Sequence, residues 1–240
     1  MKKATIFMLL ASIFLLAGCI SQVAVGPVQT DSQSVELGDA DSVRVEVKMG
    51  IGELEITGGA ANLMDAEFTY NIEDWRPEVS YDQRGDIGEL QISQPDGEIN
   101  GIPDNDIKYS WEIALQNDVP MDLEVDLGVG ESVLTLGGLH LQNLVVDTGV
   151  GQATIDLTGS WQGDVDVQID GGIGEATIYL PENVGLRVEA STGIGSLVIN
   201  GLQKEEDSDV YTNESYGNAA VNMTLDISGG IGEISVQVGR

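Results

Sequence analysis

Three features of this sequence predict an all-β fold, a parallel β-solenoid with coils of roughly 21–23 residues. The phrase Gly-(Ile/Val)-Gly returns at residues 128–130, 149–151, 172–174 and 193–195. Apolar residues alternate with other residues on both sides of each phrase. Hydrophobic residues make up 42% of the chain and 31 residues are glycine, so the chain has both the apolar surface for a core and a supply of corners. A fixed period of this length marks stacked repeats.

Each repeat reads as two short strands joined at the glycine corner. Four residues after the first glycine lie Ser132, Ala153, Ala176 and Leu197; six after lie Leu134, Ile155, Ile178 and Ile199. Eight after lie Leu136, Leu157 and Leu180, with Gly201 breaking the column. Five before lie Leu123, Leu144, Val167 and Val188, and three before lie Val125, Val146, Ile169 and Ala190. A period of two is one face of a strand. A single unit cannot bury this face alone, but stacked units line up like residues about 4.8 Å apart. The aliphatic residue between the glycines is expected to point inward and plug the corner. Two other readings fit less well. Gly-Gly-Ile-Gly-Glu at 171–175 and 229–233 opens like a calcium-binding nonapeptide roll, but Ala176 and Ile234 stand where that motif needs Asp. An antiparallel sandwich accommodates the alternation but not the fixed period.

Taken from its start, the chain opens on an address. Lys2 and Lys3 precede an apolar run at 4–15 that is short for a membrane span. Leu16-Ala17-Gly18-Cys19 resembles the bacterial lipoprotein box, in which the cysteine becomes the first mature residue and carries lipid. Residues 1–18 are thus expected to be a lipoprotein signal peptide and Cys19 the lipid-attachment residue; it is also the sole cysteine of the chain. Residues 19–41 read as the lipidated cysteine and a flexible tether. Folded structure is expected from Ser42, where Val43, Val45 and Val47 alternate into Gly50-Ile51-Gly52, followed by Leu54 and Ile56. Residues 42–127 read as degenerate solenoid coils, with Asp86–Ile92 as a worn corner, and as a capping end. Residues 128–240 read as regular coils, with residues 203–219 as an acidic surface loop inserted into one of them; Val221, Met223, Leu225 and Ile227 then resume the alternation.

The formal net charge of −30 argues against nucleic acid and anionic lipid as partners. Two acidic columns stand out. Three residues after the first glycine come Glu53, Glu131, Gln152, Glu175, Ser196 and Glu233, with Glu89 at the matching place; in the regular coils, charged and neutral residues alternate along the chain. Two before it come Asp126, Asp147 and Asp170, a ladder that either takes up a divalent cation or sits exposed under screened repulsion.

Catalytic signals are weak. A glycosidase needs two carboxylates flanking a sugar bond, and the sequence singles out no pair. Asp164 and Asp166 face out from one strand, and His140 reads as an exposed corner residue. Trp161, between Gly159 and Gly163, reads as a plug for the looser corner. Between residues 128 and 238 the basic residues are Arg187 and Lys204, a poor complement for an acidic polysaccharide. No nucleophile motif, phosphate loop or zinc spacing is present.

The Gly-(Ile/Val)-Gly-Glu phrases resemble the toastrack group of bacterial adhesin-like β-solenoids. So do Met49-Gly50-Ile51-Gly52-Glu53-Leu54, Phe68-Thr69-Tyr70-Asn71 and Tyr211-Thr212-Asn213 with Tyr216-Gly217. That group includes domains of cell-wall-active antibiotic response proteins. The resemblance spans roughly residues 35–238. It implies a right-handed β-helix at the cell envelope and supplies no catalytic residues. The expectation is therefore a non-catalytic envelope lipoprotein without cofactor or metal. It would be palmitate-bearing, anchored to the membrane facing outward, and engaged with an envelope polymer or protein partner. The alternatives are a carbohydrate-active β-helix enzyme and a divalent-cation-dependent surface adhesin.

Overall fold

The computed structural model describes residues 25–95 and 107–240. Cys19, the leader and the first part of the tether lie outside the described residues. The strands are β1 (Gln29–Val35), β2 (Ser42–Gly58), β3 (Met64–Tyr70), β4 (Glu78–Arg84), β5 (Ile87–Ser93), β6 (Tyr109–Leu115), β7 (Met121–Thr135), β8 (Leu141–Asp156), β9 (Val165–Leu180), β10 (Gly185–Asn200), β11 (Gln203–Lys204), β12 (Val210–Thr212) and β13 (Asn222–Val238). A single 3-10 turn occupies Glu73–Trp75.

Six of these strands, 15 to 17 residues each, run through a glycine corner without a break. They pair in parallel in the order β2-β7-β8-β9-β13-β10. The pairing aligns every column of the repeat. Ile56, Leu134, Ile155, Ile178, Val236 and Ile199 form one ladder, and Val47, Val125, Val146, Ile169, Ile227 and Ala190 another. Most rungs of both ladders are at most 3% exposed, so the stack has the continuous apolar interior that the alternation predicts. Ile199, on the last rung, is half-buried.

The coil order departs from the chain order. β13, the final strand, lies between β9 and β10, so β10 rather than β13 is the end rung. Residues 203–219 lie in the connection from β10 to β13, where the other coils have a short corner. They cross the end of the stack and form the β11–β12 hairpin, whose β12 pairs antiparallel with Arg187–Glu189. This connection brings β13 back between β9 and β10, so that β13 pairs with both and β9 and β10 do not pair with each other. The topology also overturns the alternation of charge along the glutamate column. In space Glu175 pairs with Glu233, and Glu53 with Glu131. Ser196 sits beyond Glu233 and donates a 3.0 Å hydrogen bond to it.

The first pole is built differently from the expected worn coils. β5 covers the first half of β2 and β6 the second half, so one rung is split into two pieces. β4 then adds antiparallel to β5, and β3 and β1 add antiparallel beyond β6. Asp86–Ile92 is not a corner: Gly88 pairs with Val43 and Glu89 with Arg44, before the bend. A Cβ on Gly88 would meet the Tyr81 hydroxyl, so this glycine makes room for a ring rather than for a bend. In place of a corner, the Gln94 side chain reaches across and accepts hydrogen bonds from Gly50 N (2.9 Å) and Ile51 N (3.2 Å). The core here is aromatic: Phe68 and Trp111 meet edge to face at 5.5 Å, and Trp75 and Tyr109 at 5.6 Å.

Folded structure also begins earlier than Ser42. β1 lies within the segment expected to be a tether and pairs over its full length with β3. Its polar side chains hold it there. Tyr70 donates to Asp31, Ser34 donates to Asp65, and Arg76 pairs with Asp31 at 2.9 Å. A strand held by polar contacts at an edge has no apolar alternation to reveal it.

Candidate interaction surface

The glycine corner builds the most distinctive surface of the molecule. Gly174 has φ +145, and an added Cβ would stand 1.7 Å from the carbonyl oxygen of Gly151 on the neighbouring coil. The same contact recurs from Gly130 to Gly232 to Gly195, so successive corners nest backbone on backbone. The inside of the bend is filled from both sides. Met49 and Leu127 enter from before the corner, and Ile234 reaches toward the space beside Gly229 from after it.

No room remains inside for the residue between the glycines, and it turns outward. This corrects the expectation of an inward plug. Val129, Val150, Ile173, Ile231 and Ile194 are 46–69% exposed. They pair rung on rung with each other and with half-buried Ile51. Six aliphatic residues thus form a straight ridge about 24 Å long at the strand spacing. Lone exposed aliphatics need no explanation, but a file of them does. The glutamate column runs beside the ridge. At the β2 end the ridge enters a groove of about 340 Å³ lined by Ile51, Val129, Glu53, Glu131, Thr69 and Lys108.

The aspartate ladder stands on the other side of the corner. Its spatial order is Lys48, Asp126, Asp147, Asp170, Ser228, Ser191. Partial burial, then the charges of Asp170 and Asp126, push the Asp147 carboxyl above its usual value. Asp170 is relieved by hydrogen bonds from Ser228 and, at 2.7 Å, from Gln168. Among the described residues no group of three or more His, Cys, Asp or Glu side chains is arranged to hold a metal ion.

The other singled-out residues take structural places. Trp161 is buried at the looser corner and donates from Nε1 to Leu157 O at 2.9 Å, a plug as its spacing predicts. Asp164 accepts from Asn222 N at 2.7 Å and so fixes the start of β13. Asp166 points outward from the exposed face of β9. His140 is half-buried rather than exposed, because Met121 N donates to its carbonyl and draws the loop onto the stack. A second groove, of about 430 Å³, crosses β5, β2, β7 and β8; Arg44 and Asp122 face each other there at 3.9 Å beside Glu46, Glu89 and Glu124. The sequence offered no signal for it, since its lining comes from four separate strands.

Residues 24–179 match the family described as the N-terminal domain of toast_rack, and residues 129–236 match the one described as "cell wall-active antibiotics response LiaF, C-terminal". No curated protein matches the chain. Among solved structures, the chain is similar to a candidate cell adhesion protein from Clostridium sporogenes. Identity is 32% and the TM-score 0.85, over 88% of this chain and 100% of that one. It is also similar, at 14% identity, to candidate adhesins from Bacteroides fragilis (TM-score 0.36, 90% of this chain, 99% of that one) and Parabacteroides distasonis (0.28, 90% and 98%). These two likenesses are distant, and nothing further rests on them. The two family descriptions and that of the clostridial structure name no enzyme. The family match over most of the chain, the stacked glycine corners and the similarity to the clostridial structure lead to one conclusion: this chain belongs to the toast-rack family of adhesin-like β-solenoids.

Proposed function

We propose that this protein is a non-catalytic interaction module of the bacterial cell envelope, held at the outer side of a membrane by lipid on Cys19. In this reading it engages an envelope polymer or a partner protein through the corner ridge. The observation that carries the reading is the ridge itself. Val129, Val150, Ile173, Ile231 and Ile194 present a continuous apolar line that nothing in the chain covers among the described residues. A line of this kind flanked by carboxylates suits an elongated partner laid along the stack. The resemblance of the C-terminal half to the antibiotic-response domain supports a role in the response to cell-wall-active compounds. The similarity to a candidate adhesion protein supports contact outside the cell rather than chemistry.

The test is a capture experiment from intact envelopes with the full chain as bait. Wild-type protein is expected to retain a specific envelope component. The double variant Ile173→Lys with Ile231→Lys is expected to lose it while keeping its melting temperature. Retention by the double variant would remove the ridge from the account. Anchoring is tested separately: Cys19→Ser is expected to move the protein from the membrane to the soluble fraction and to abolish palmitate labelling.

A further inference from the structure

The end rung β10 is capped over only half its length. Its first half is covered: β12 pairs with Arg187–Glu189, and Ala190 N donates to Asp209 O. Its second half, residues 194–200, pairs with β13 on one side and, among the described residues, with nothing on the other. At the opposite pole both halves of β2 are covered, by β5 and by β6. The bare half also lacks the charges that protect the other edges. Edge strand β1 carries Asp31, β4 carries Glu78, Asp82 and Arg84, and β11 carries Lys204. Residues 190–203 contain no charged side chain at all. A neutral, unpaired edge is a template for another strand, and sequences that do not use such an edge place charges on it.

The side chains favour addition too. Leu197 and Ile199 continue the interior ladders yet are only half-buried, so the last layer of core is unfinished. Ile194 is 69% and Val198 41% exposed on the outer face. On the capped half of β10 Arg187 is paired with Glu189 at 3.0 Å, and in the capping hairpin Lys204 is paired with Asp209 at 3.6 Å. Glu205, Glu206 and Asp207 add three carboxylates there, with no ion pair among the described residues. A second copy would bring its own charge of −30 against this end, whereas a basic segment is drawn to it.

We propose that the 194–200 edge of β10 is a strand-addition site for an extended segment of a partner protein. That segment is aliphatic at alternate positions and flanked by Lys or Arg. Main-chain hydrogen bonds to β10 hold it, and its inward side chains complete the layer over Leu197 and Ile199. This deepens the interaction reading above and rests on it; the edge shares only Ile194, the end rung, with the ridge.

The test uses the full chain and a labelled synthetic peptide carrying the 194–200 sequence between two lysines at each end. At low salt the peptide is expected to bind and to slow amide exchange at residues 194–200 but not at 187–189. Glutamate flanks, or a proline at the centre of the peptide, are each expected to weaken binding by about tenfold or more. Val198→Lys in the chain is expected to do the same without lowering the melting temperature. Ile173→Lys leaves this binding unchanged whatever the ridge engages, so failure here and failure of the ridge are separable. Three results overturn the proposal: no binding at about 100 μM peptide, equal binding of the proline peptide, or a chain that dimerises alone and protects 194–200. In the last case a second copy is the occupant.

Discussion

The carbonyl oxygen of Gly151 occupies the space in which a Cβ on Gly174 would stand. The two glycines belong to successive coils, and each coil's corner is shaped by the backbone of the one before it. Gly174→Ala must therefore open the β8–β9 pairing and strain a backbone at φ +145. A loss of about 3 kcal/mol or more is expected in urea unfolding. Gly163→Ala is the control: nothing lies within 4 Å of its Cβ, and its backbone is not in the left-handed region. It is expected to change stability by less than about 1 kcal/mol.

The two faces of the corner should separate cleanly. Ile178 is fully buried and paired with Ile155 and Val236, whereas Ile173 is 51% exposed on the ridge five residues earlier. Ile178→Ala is expected to cost about 2–5 kcal/mol through the cavity it leaves. Ile173→Ala is expected to stay within about 0.5 kcal/mol. Equal costs, measured by thermal unfolding, would place Ile173 inside the stack.

Asp147 provides the pH dependence. Its folded pKa lies above its unfolded value, chiefly by burial and then by repulsion from Asp170 and Asp126. As pH rises from the unfolded value of a carboxyl toward the folded one, the unfolded state gives up its proton first. Stability from this group therefore falls across that window and stays lower above it. Asp147→Asn is expected to raise the melting temperature at neutral pH and to flatten this part of the profile. A lower melting temperature would mean that the ladder is stabilising as charged.

Gln94 stands in for a missing corner. Its side-chain oxygen accepts from both Gly50 N and Ile51 N. Gln94→Ala is expected to cost about 1 kcal/mol, because water replaces part of the loss at this partly exposed site. Faster amide exchange at residues 50 and 51 is the direct readout.

The sequence was most legible where its period was strict. Leu134, Ile155 and Ile178 announce a shared inner face by spacing alone, and their ladder is what the structure holds. Spacing could not order the last two coils. Ile234 and Val236 offer the same pattern as Leu197 and Ile199, so either strand fits against β9, and it is β13 that lies there. The facing of Ile173 was also hidden. Period two breaks at a bend, and a residue between two glycines has no neighbour to show which side it takes. Gly88 mimicked a corner because a glycine under the Tyr81 ring and a glycine at a bend look alike in one dimension. The ridge, which carries the proposed function, was thus present in the sequence as a repeated letter but not as a surface.

The position of the last coil is the point on which the end rung and its open edge depend. Thr177, Ser235 and Val198 lie on three successive rungs in the order β9, β13, β10. Neighbouring rungs bring Cα atoms within disulfide range, whereas rungs two apart are about 9.6 Å distant and out of range. In a Cys19→Ser background, paired cysteine substitutions under mild oxidation measure the order directly. Thr177→Cys with Ser235→Cys, and Ser235→Cys with Val198→Cys, are expected to cross-link, and Thr177→Cys with Val198→Cys is not. Efficient linking of the third pair would mean that β10 stacks on β9 in chain order, which contradicts the account.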